Sequence, residues 1–329
     1  MPSQGNRRAR HETITDHLSR LTDDQLTELL NSTEHSGTDT GGTAWHLTID
    51  DIPVFAKRIR LTDLELRHPH STANLFDMPA YCHYRLGSSG LGAWRELAAH
   101  LHTTELVLTG QYAGFPLTHH WRILPTTARN NPTAVSDAIA SWGDLPSIRQ
   151  RFAAVEAATA GLVVFTERFP HVVRPWLSTL EPEQLPDAYR MLEQGIEQAS
   201  AVLKRTGYLH FDVHFDNVLT DGHQTYLTDF GLTQSTSFEL TEDEQAFHIA
   251  HRDYDLHGGI TTLVNTLLRQ YGYTDPHKSL AEIAAGEKSP SLPAWATELL
   301  DRHITTANTI NQFHRRLQTE SLTTPYPAL

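Results

Sequence analysis

The stretch 208–231, YLHFDVHFDNVLTDGHQTYLTDFG, combines carboxylates and histidines with short apolar runs, which suits neither a solvated loop nor a dry core. Unpartnered carboxylates are costly to bury, so those held on short apolar strands usually bind something. Asp221-Gly222 is a typical turn between two strands and predicts a β-hairpin. A hairpin brings its outer ends together, so Asn217 and Asp229 should converge. Their amide and carboxylate oxygens are hard ligands, which predicts a Mg²⁺ site.

Asp212 is a second candidate functional residue in this stretch. It lies on the loop that leads from a long predicted helix to Asn217. A carboxylate at this place can accept a proton from an incoming hydroxyl group beside the metal. The sequence therefore predicts a metal-assisted reaction at a hydroxyl.

The charge and hydropathy of the chain argue against several function classes. The formal net charge of the 329 residues is −13, and no Lys/Arg run is long enough for a basic face, so we expect no nucleic-acid partner. The segment 7–10, RRAR, is interpreted as a flexible terminal arm. No apolar run approaches the length of about 18 residues that a membrane span needs, and the N-terminus is polar. We expect a soluble cytoplasmic protein without a membrane partner. Cys82 is the single cysteine, which excludes an intrachain disulfide and a cysteine-built zinc site.

Hydrophobic periodicity predicts an α+β fold with a strand-rich first half and a helical second half. Strands are expected at TAWHLTI, VFAKRI, PLTHHWRILP and GLVVFTERF. Helical spacing is expected in GAWRELAAHLHTTEL and over 184–207, where the apolar stripe is unbroken. Residues 126–160 form a helix-rich insertion between strands.

The order of these motifs resembles the catalytic core of the protein-kinase-like superfamily, over roughly residues 35–270. There a loop HRDxxxxN, or HGDxHxxN in the small-molecule kinases, is followed by DFG. Here HFDVHFDN is followed by DFG at 229–231. The resemblance implies a bilobal fold with a strand-rich N-lobe at 1–165, a helical C-lobe at 166–329 and an active site between them.

The resemblance implies roles for the matching residues. Asp212 would orient and deprotonate an acceptor hydroxyl, and Asn217 and Asp229 would hold Mg²⁺. His214 stands where aminoglycoside and choline kinases mostly carry His and protein kinases mostly Lys, and it would assist Asp212 in catalysis.

VFAKRI resembles the superfamily strand whose lysine reaches the α- and β-phosphates of ATP. The matching residue is Lys57, one of only four lysines in the chain. Its expected carboxylate partner on the next helix is Glu96, with Glu65 and Glu105 as alternatives.

The other nucleotide contacts are expected from two segments. SGTDTGG lacks the GxGxxG pattern, but its glycines, Gly37, Gly41 and Gly42, can still cover phosphates with backbone N–H groups, and a plain flexible turn is the alternative. GLVVFTERF resembles the strand that leads into the hinge between lobes. Phe165 would be the gatekeeper, and the backbone of Glu167, Arg168 and Phe169 would meet the adenine edge.

A small hydroxylated molecule is the expected acceptor. Besides His214, the region after DFG is short and lacks an APE signature. Asp216 and the acidic stretch 239–244 are expected to face the acceptor and to favour a neutral or cationic one, such as an antibiotic. VFAKRI and TDFGLTQS are closer to protein kinases, so a Ser/Thr protein or peptide kinase stays open. A nucleotide-binding pseudokinase is a third possibility, and the sequence does not choose between ATP and GTP.

Overall fold

The computed structural model describes residues 4–38, 42–84, 90–129, 131–289 and 291–329. Over these residues the chain is a mixed α+β protein, as the periodicity predicts. It forms two compact units, the first from Met1–Phe169 with Thr228–Gln245 and the second from Pro170–Leu227 with Ala246–Leu329. The sequence predicts a single boundary at 165/166, whereas the chain crosses between the two units three times.

The helices and strands are numbered in chain order. The described strands are β1 (His35–Thr38), β2 (Gly42–Ile49), β3 (Ile52–Leu61), β4 (Thr118–Pro125), β5 (Ala160–Glu167), β6 (His171–Val172), β7 (Tyr208–Leu209), β8 (Val218–Thr220), β9 (Thr225–Leu227) and β10 (Gln234–Ser235). The described α-helices are α1 (Gln4–Arg20), α2 (Asp23–Asn31), α3 (Asp63–Arg67), α4 (Ala93–Leu108), α5 (Pro132–Trp142), α6 (Pro146–Ala157), α7 (Val173–Leu177), α8 (Leu185–Arg205), α9 (Glu242–Ala250), α10 (Tyr254–Gln270), α11 (Pro276–Ala284) and α12 (Ala294–Thr319). Each of these helices is too short or too polar to span a lipid bilayer.

A five-stranded antiparallel sheet organises the first unit, in the order β1-β2-β3-β5-β4. The turn between β2 and β3 is Asp50-Asp51, with φ angles of 49° and 61°. Two left-handed residues in a two-residue loop match the right-handed twist of the flanking strands. Lys57 on β3 pairs with Ala44 on one side and with Val164 on the other.

Alternation along the strands sends side chains to two apolar layers. On one face, Val54, Ala56 and Phe165 pack with residues of α1 and α2, including Ile14 and Leu26. The opposite face packs on α4. Its contacts come from Leu61, Leu162, Val164, Ala93, Trp94 and Leu97. The sheet is therefore covered by helices on both sides.

Helix α1 corrects the interpretation of RRAR as a flexible arm. Arg7 is buried, and its guanidinium donates to both carboxylate oxygens of Glu167, at 2.6 and 3.0 Å. It also donates to the backbone carbonyls of Ala113 and Phe115, each at 2.7 Å. The prediction was wrong because the partners of Arg7 lie more than a hundred positions away, where no local pattern shows them.

A pair of histidines joins α1 to β4 and makes stability depend on pH. Nδ1 of His11 lies 3.1 Å from Nδ1 of His119. Burial, together with His11 and Arg7, lowers the pKa of His119 from 6.5 to about 3. Between about pH 6.5 and 3, the unfolded chain therefore binds a proton at His119 that the folded chain does not bind. The free energy of unfolding should therefore decrease as the pH is lowered through this window.

We expect the loss to reach at most about 1.4 kcal/mol per pH unit from this group. Urea unfolding at pH 7 and pH 5 should show a smaller pH dependence in His119→Gln than in the wild type. His223→Gln, at an exposed position, should leave the dependence unchanged. An identical pH dependence in all three proteins would contradict the assignment.

The second unit is mostly helical, with the small antiparallel sheet β6-β8-β9. Strands β8 and β9 form the predicted hairpin. Asp221 Oδ1 accepts the N–H groups of His223 and Gln224, each at 2.9 Å, and Gly222 has a φ of +87° that suits glycine. This turn fixes the register of the two strands that leave Asn217 and enter Asp229.

The predicted insertion at 126–160 is a pair of helices, α5 and α6, between β4 and β5. Trp142 and Ile148 are buried at the inner side of this pair. Trp142 stacks on Tyr81, with ring centroids 6.3 Å apart and planes 8° from parallel. The insertion is thus packed against the segment that precedes α4.

Candidate active site

A cluster of three charged side chains lies in the first unit. The ammonium group of Lys57 is 2.9 Å from Glu96 Oε1 and 2.7 Å from Asp229 Oδ1. Burial works to lower the pKa of Lys57, but Asp229 and Glu96 outweigh burial and raise it above the ordinary value. Burial raises the pKa of Glu96, and the contact with Lys57 opposes that change. Lys57 is therefore a permanent cation between two carboxylates.

Secondary structure brings this cluster together. Lys57 alternates on β3 with Ala56, so it faces α4, and Glu96 lies in the first turn of that helix. Asp229 follows β9 and has a φ of 65°. A left-handed residue other than glycine costs about 1–2 kcal/mol, so the surrounding structure holds Asp229 in a strained conformation.

Of the three glutamates that the sequence offers as partners of Lys57, Glu96 makes the contact. The other two are engaged elsewhere or exposed. Glu65 is buried and lies 3.0 Å from Arg151. Glu105 is exposed on α4. A Cβ at Gly231 would lie 3.3 Å from Glu96 Oε2, so the glycine of the DFG triplet leaves room for this carboxylate.

The two segments that are expected to contact the nucleotide belong to the first unit. One expected glycine is outside the described residues, and one expected backbone N–H group is engaged elsewhere. Gly37 and Gly42 lie in the β1-β2 hairpin, and Gly41 is outside the described residues. The N–H of Glu167 donates to the carbonyl of Leu117 at 2.9 Å, so it is not available to an adenine ring. The expected adenine contact of the Glu167 N–H is therefore not supported.

Phe165 was expected at the gatekeeper position, and the structure contradicts this expectation. It pairs with Ala56 and packs on the face that α1 and α2 cover. Val164 pairs with Lys57 and shares the face of the charged cluster. Successive strand residues face opposite sides of the sheet, so Val164 faces the charged cluster and its neighbour Phe165 faces away from it.

A second cluster lies on the catalytic-loop sequence of the second unit. Buried Asp255 accepts the N–H of His210 at 2.7 Å and that of Phe211 at 2.8 Å. Burial raises the pKa of Asp255, and His210 together with these N–H groups opposes the rise. Phe211 has a φ of 64°, so the loop is strained where Asp255 holds it. The strained backbone precedes Asp212 directly.

Asp212 has two side-chain neighbours in this loop. Nδ2 of Asn217 donates to the backbone carbonyl of Asp212 at 3.1 Å and to its Oδ2 at 3.0 Å. Nε2 of His214 is 3.3 Å from Asp212 Oδ1. Nδ1 of His214 lies 3.2 Å from the backbone nitrogen of Asp216 and 3.2 Å from its Oδ2, so the ring lies between two carboxylates. His214 can therefore donate to Asp212.

The donor set suits Mg²⁺ in part. The two bonds from Nδ2 of Asn217 determine which end of the amide is the oxygen, and that oxygen and the carboxylate of Asp229 are hard ligands. The carboxylate of Asp229 is 42% exposed and so is accessible to a ligand. In the described part of the chain, no group of three or more His, Cys, Asp or Glu could hold a metal. Asn217 and Asp229 are each suitable oxygen ligands by chemistry, and they belong to different units of the fold.

The acidic residues expected to face the acceptor are largely engaged elsewhere. Glu244 is 1% exposed and lies 2.7 Å from the guanidinium of Arg95. Glu239 accepts a hydrogen bond from Ser71 and uses its N–H on Thr72. Asp216 accepts two hydrogen bonds from Nε of Arg174, at 2.7 and 2.8 Å. The cations Arg95 and Arg174 compensate the charges of Glu244 and Asp216, whereas Glu239 is contacted by neutral groups and keeps its charge.

Sequence reasoning missed several buried or partly buried charged residues with specific partners in the fold. They are Arg7, Arg95, Arg151 and Asp255. Asp255 has a weak sequence signal, since it is a carboxylate at the start of a long apolar helix. The arginines have none, because each finds its carboxylate in a distant part of the chain.

No protein-family model matches this chain, and no curated protein sequence matches it. Its function must therefore be inferred from the two clusters, one in each unit. The first combines a fixed cation with two carboxylates, and the second combines a carboxylate with an amide and an imidazole.

Proposed function

We propose that the chain is an ATP- and Mg²⁺-dependent phosphotransferase of the protein-kinase-like superfamily. The first unit would be its strand-rich nucleotide-binding lobe and the second its helical lobe. The observation that carries the proposal is the contact of Lys57 with both Glu96 and Asp229. The two carboxylates lie 39 and 172 positions from Lys57, and they have the types and the order that the resemblance implies. A partly buried cation with two carboxylate partners is more than packing requires.

Each residue has a chemical task in this proposal. Lys57 offers a permanent positive charge to the α- and β-phosphates. Asp212 takes the proton of the acceptor hydroxyl while the hydroxyl oxygen forms a bond to the γ-phosphorus. The bond between the γ-phosphorus and the oxygen that stays on ADP breaks. His214 orients Asp212 through Nε2–H. Asn217 and Asp229 would hold Mg²⁺, which when bound neutralises charge on the phosphates.

The acceptor that we propose is a hydroxyl of a small polar metabolite, such as a sugar hydroxyl of an antibiotic in self-resistance or biosynthesis. Arg95 and Arg174 compensate the charges of Glu244 and Asp216, whereas Ser71, the partner of Glu239, is a neutral donor. A neutral or cationic polyhydroxylated acceptor is therefore favoured over an anionic one. Contacts of Glu239 and Glu244 within the first unit also argue against a segment that opens to dock a peptide.

Lys57→Met should abolish most nucleotide affinity. Met keeps the length of the side chain but removes the charge that phosphates would contact. We expect the thermal shift of the wild type at about 100 times the dissociation constant of MgATP, equivalent to about 2.7 kcal/mol, to be lost. Lys204→Met, which removes an exposed ion pair with Asp253, should keep the shift. A full shift in Lys57→Met would remove Lys57 from the site.

The acceptor is tested by a mass-shift and ³¹P screen with ATP and Mg²⁺. Hydroxylated antibiotics, choline-like amines and generic peptides should be compared at equal concentration. We expect one phosphoryl group to be gained by a hydroxylated small molecule. A gain on peptide Ser or Thr alone would instead support a protein kinase, and MgATP binding without any transfer would support a pseudokinase.

A further inference from the structure

Glu65 holds the beginning of α4, the helix that carries Glu96. Its Oε1 accepts the N–H of Ala93 at 2.8 Å, and its backbone carbonyl accepts the indole N–H of Trp94 at 2.9 Å. Its Oε2 accepts both the N–H and the hydroxyl of Thr62, at 2.9 and 2.6 Å. The first N–H groups of a helix have no intrahelical partner, so this carboxylate satisfies one of them and fixes where α4 starts.

Arg151 of the insertion keeps Glu65 in its charged form. One guanidinium nitrogen lies 3.0 Å from Glu65 Oε2, and both side chains are at most 3% exposed. The guanidinium also lies over the ring of Phe76, 5.2 Å from its centroid. Burial works to raise the pKa of Glu65, but Arg151, Thr62 and Ala93 outweigh burial and lower it. Without Arg151, Glu65 would be a buried charge whose only partners are neutral donors.

The same turn of α4 connects this ion pair to the charged cluster. Ala93 and Trp94 are held by Glu65, and Glu96 follows within the first turn. Glu96 reaches Lys57 at 2.9 Å, so a small rotation or shift of the helix start would lengthen that contact. Nε and Nη1 of Arg151 have no hydrogen-bond partner among the described residues, so its contact with Glu65 is an ion pair held by charge.

We propose that Arg151 is a positioning residue for the Lys57–Glu96–Asp229 cluster, acting through Glu65 and the first turn of α4. The two-helix insertion then has a function: its docking sets the geometry of the cluster. The effect on nucleotide binding rests on the proposed function, whereas the effect on Lys57 itself does not.

The test compares two arginines of α6. Arg151→Met removes the buried charge, and Arg149→Met removes an exposed one that pairs with Asp144 in the loop before α6. The ligand-free proteins are treated with an amine-acetylating reagent well below their unfolding temperatures. Peptide mass spectrometry then gives the rate at each lysine. The other three lysines are internal references, because their side chains are 45–73% exposed.

We expect Lys57 to be acetylated roughly 2- to 150-fold faster in Arg151→Met than in the wild type, the range that corresponds to coupling between residues in contact. Arg149→Met should react like the wild type. Equal rates at Lys57 in both variants would overturn the inference. If Arg151→Met does not fold, Arg151→Met/Glu65→Gln removes both buried charges, and wild-type protection of Lys57 in that variant would also overturn it.

A double-mutant cycle on MgATP affinity separates positioning from a general structural role. Arg151→Met should weaken binding by the same order as above in the wild-type background and by less than about twofold in Glu96→Gln. Equal losses in the two backgrounds would show that Arg151 does not act through Glu96. A wild type that binds no MgATP would refute the proposed function, and the acetylation rates would still decide the inference.

Discussion

Asp212→Asn should lower turnover by a factor on the order of 10²–10⁴, the usual contribution of a general base or positioning carboxylate. Asparagine keeps the size of the side chain but cannot take the proton of the acceptor. It would also place an NH₂ group against either Nδ2 of Asn217 or Nε2 of His214, both of which are donors toward Asp212. The affinity for MgATP should change little, because the proposed function assigns the phosphate contacts to Lys57 and the acceptor proton to Asp212.

Steady-state turnover and calorimetric binding of MgATP measure the two quantities separately. Asp187→Asn is a matched control, since Asp187 forms an exposed ion pair with Arg190 on α8. Its turnover should equal that of the wild type. Wild-type turnover in Asp212→Asn would exclude Asp212 from the reaction, and a loss of affinity alone would make it a nucleotide ligand instead.

Arg95→Met should destabilise the fold by about 3–5 kcal/mol, because it leaves Glu244 as an uncompensated buried charge. The two side chains are 3% and 1% exposed, and Arg95 also donates to the carbonyl of Thr72 at 2.7 Å. Such a loss is a large part of the 5–15 kcal/mol that typically stabilises a domain. The midpoint of urea unfolding should fall accordingly.

Two further variants show whether the charge is the cause. Arg95→Met/Glu244→Met removes both charges and should recover most of the stability, since apolar replacements of a buried pair are often neutral or better. Arg190→Met removes an exposed partner and should cost no more than about 1 kcal/mol. A double variant as unstable as Arg95→Met would show that packing, and not the unpaired charge, is responsible.

Local patterns were sufficient for the elements and for part of the site. Alternation predicts the strands around Lys57, and the Asp221-Gly222 turn predicts the hairpin that ends at Asp229. The residue types of the loop and the triplet point to Asp212 and Asn217. The strand and hairpin predictions are confirmed because each depends on residues that are neighbours in sequence, whereas the roles of Asp212 and Asn217 stay predictions.

Long-range ion pairs could not be predicted in the same way. Arg7 and Glu167 are 160 positions apart, and Arg95 and Glu244 are 149. The sequence does not show whether a charged residue is buried or solvated. Arg7 was therefore interpreted as part of a flexible arm and Glu244 as part of an acidic mouth. The Phe165 error has another cause, because a strand that is apolar on both faces does not show which residues share the side of Lys57.

The first unit has a further consequence, for the order in which the chain can fold during synthesis. Its residues come from two separate parts of the sequence, Met1–Phe169 and Thr228–Gln245. Two adjacent residues of α4 each belong to an ion cluster with a member from the later part. Arg95 pairs with Glu244, and Glu96 shares Lys57 with Asp229. When only the first part has emerged from the ribosome, Arg95 is present, but Glu244, its buried partner, has not yet emerged. The first unit should therefore reach its final structure only after residue 245 has emerged, and a fragment that ends at Phe169 should not be stable by itself.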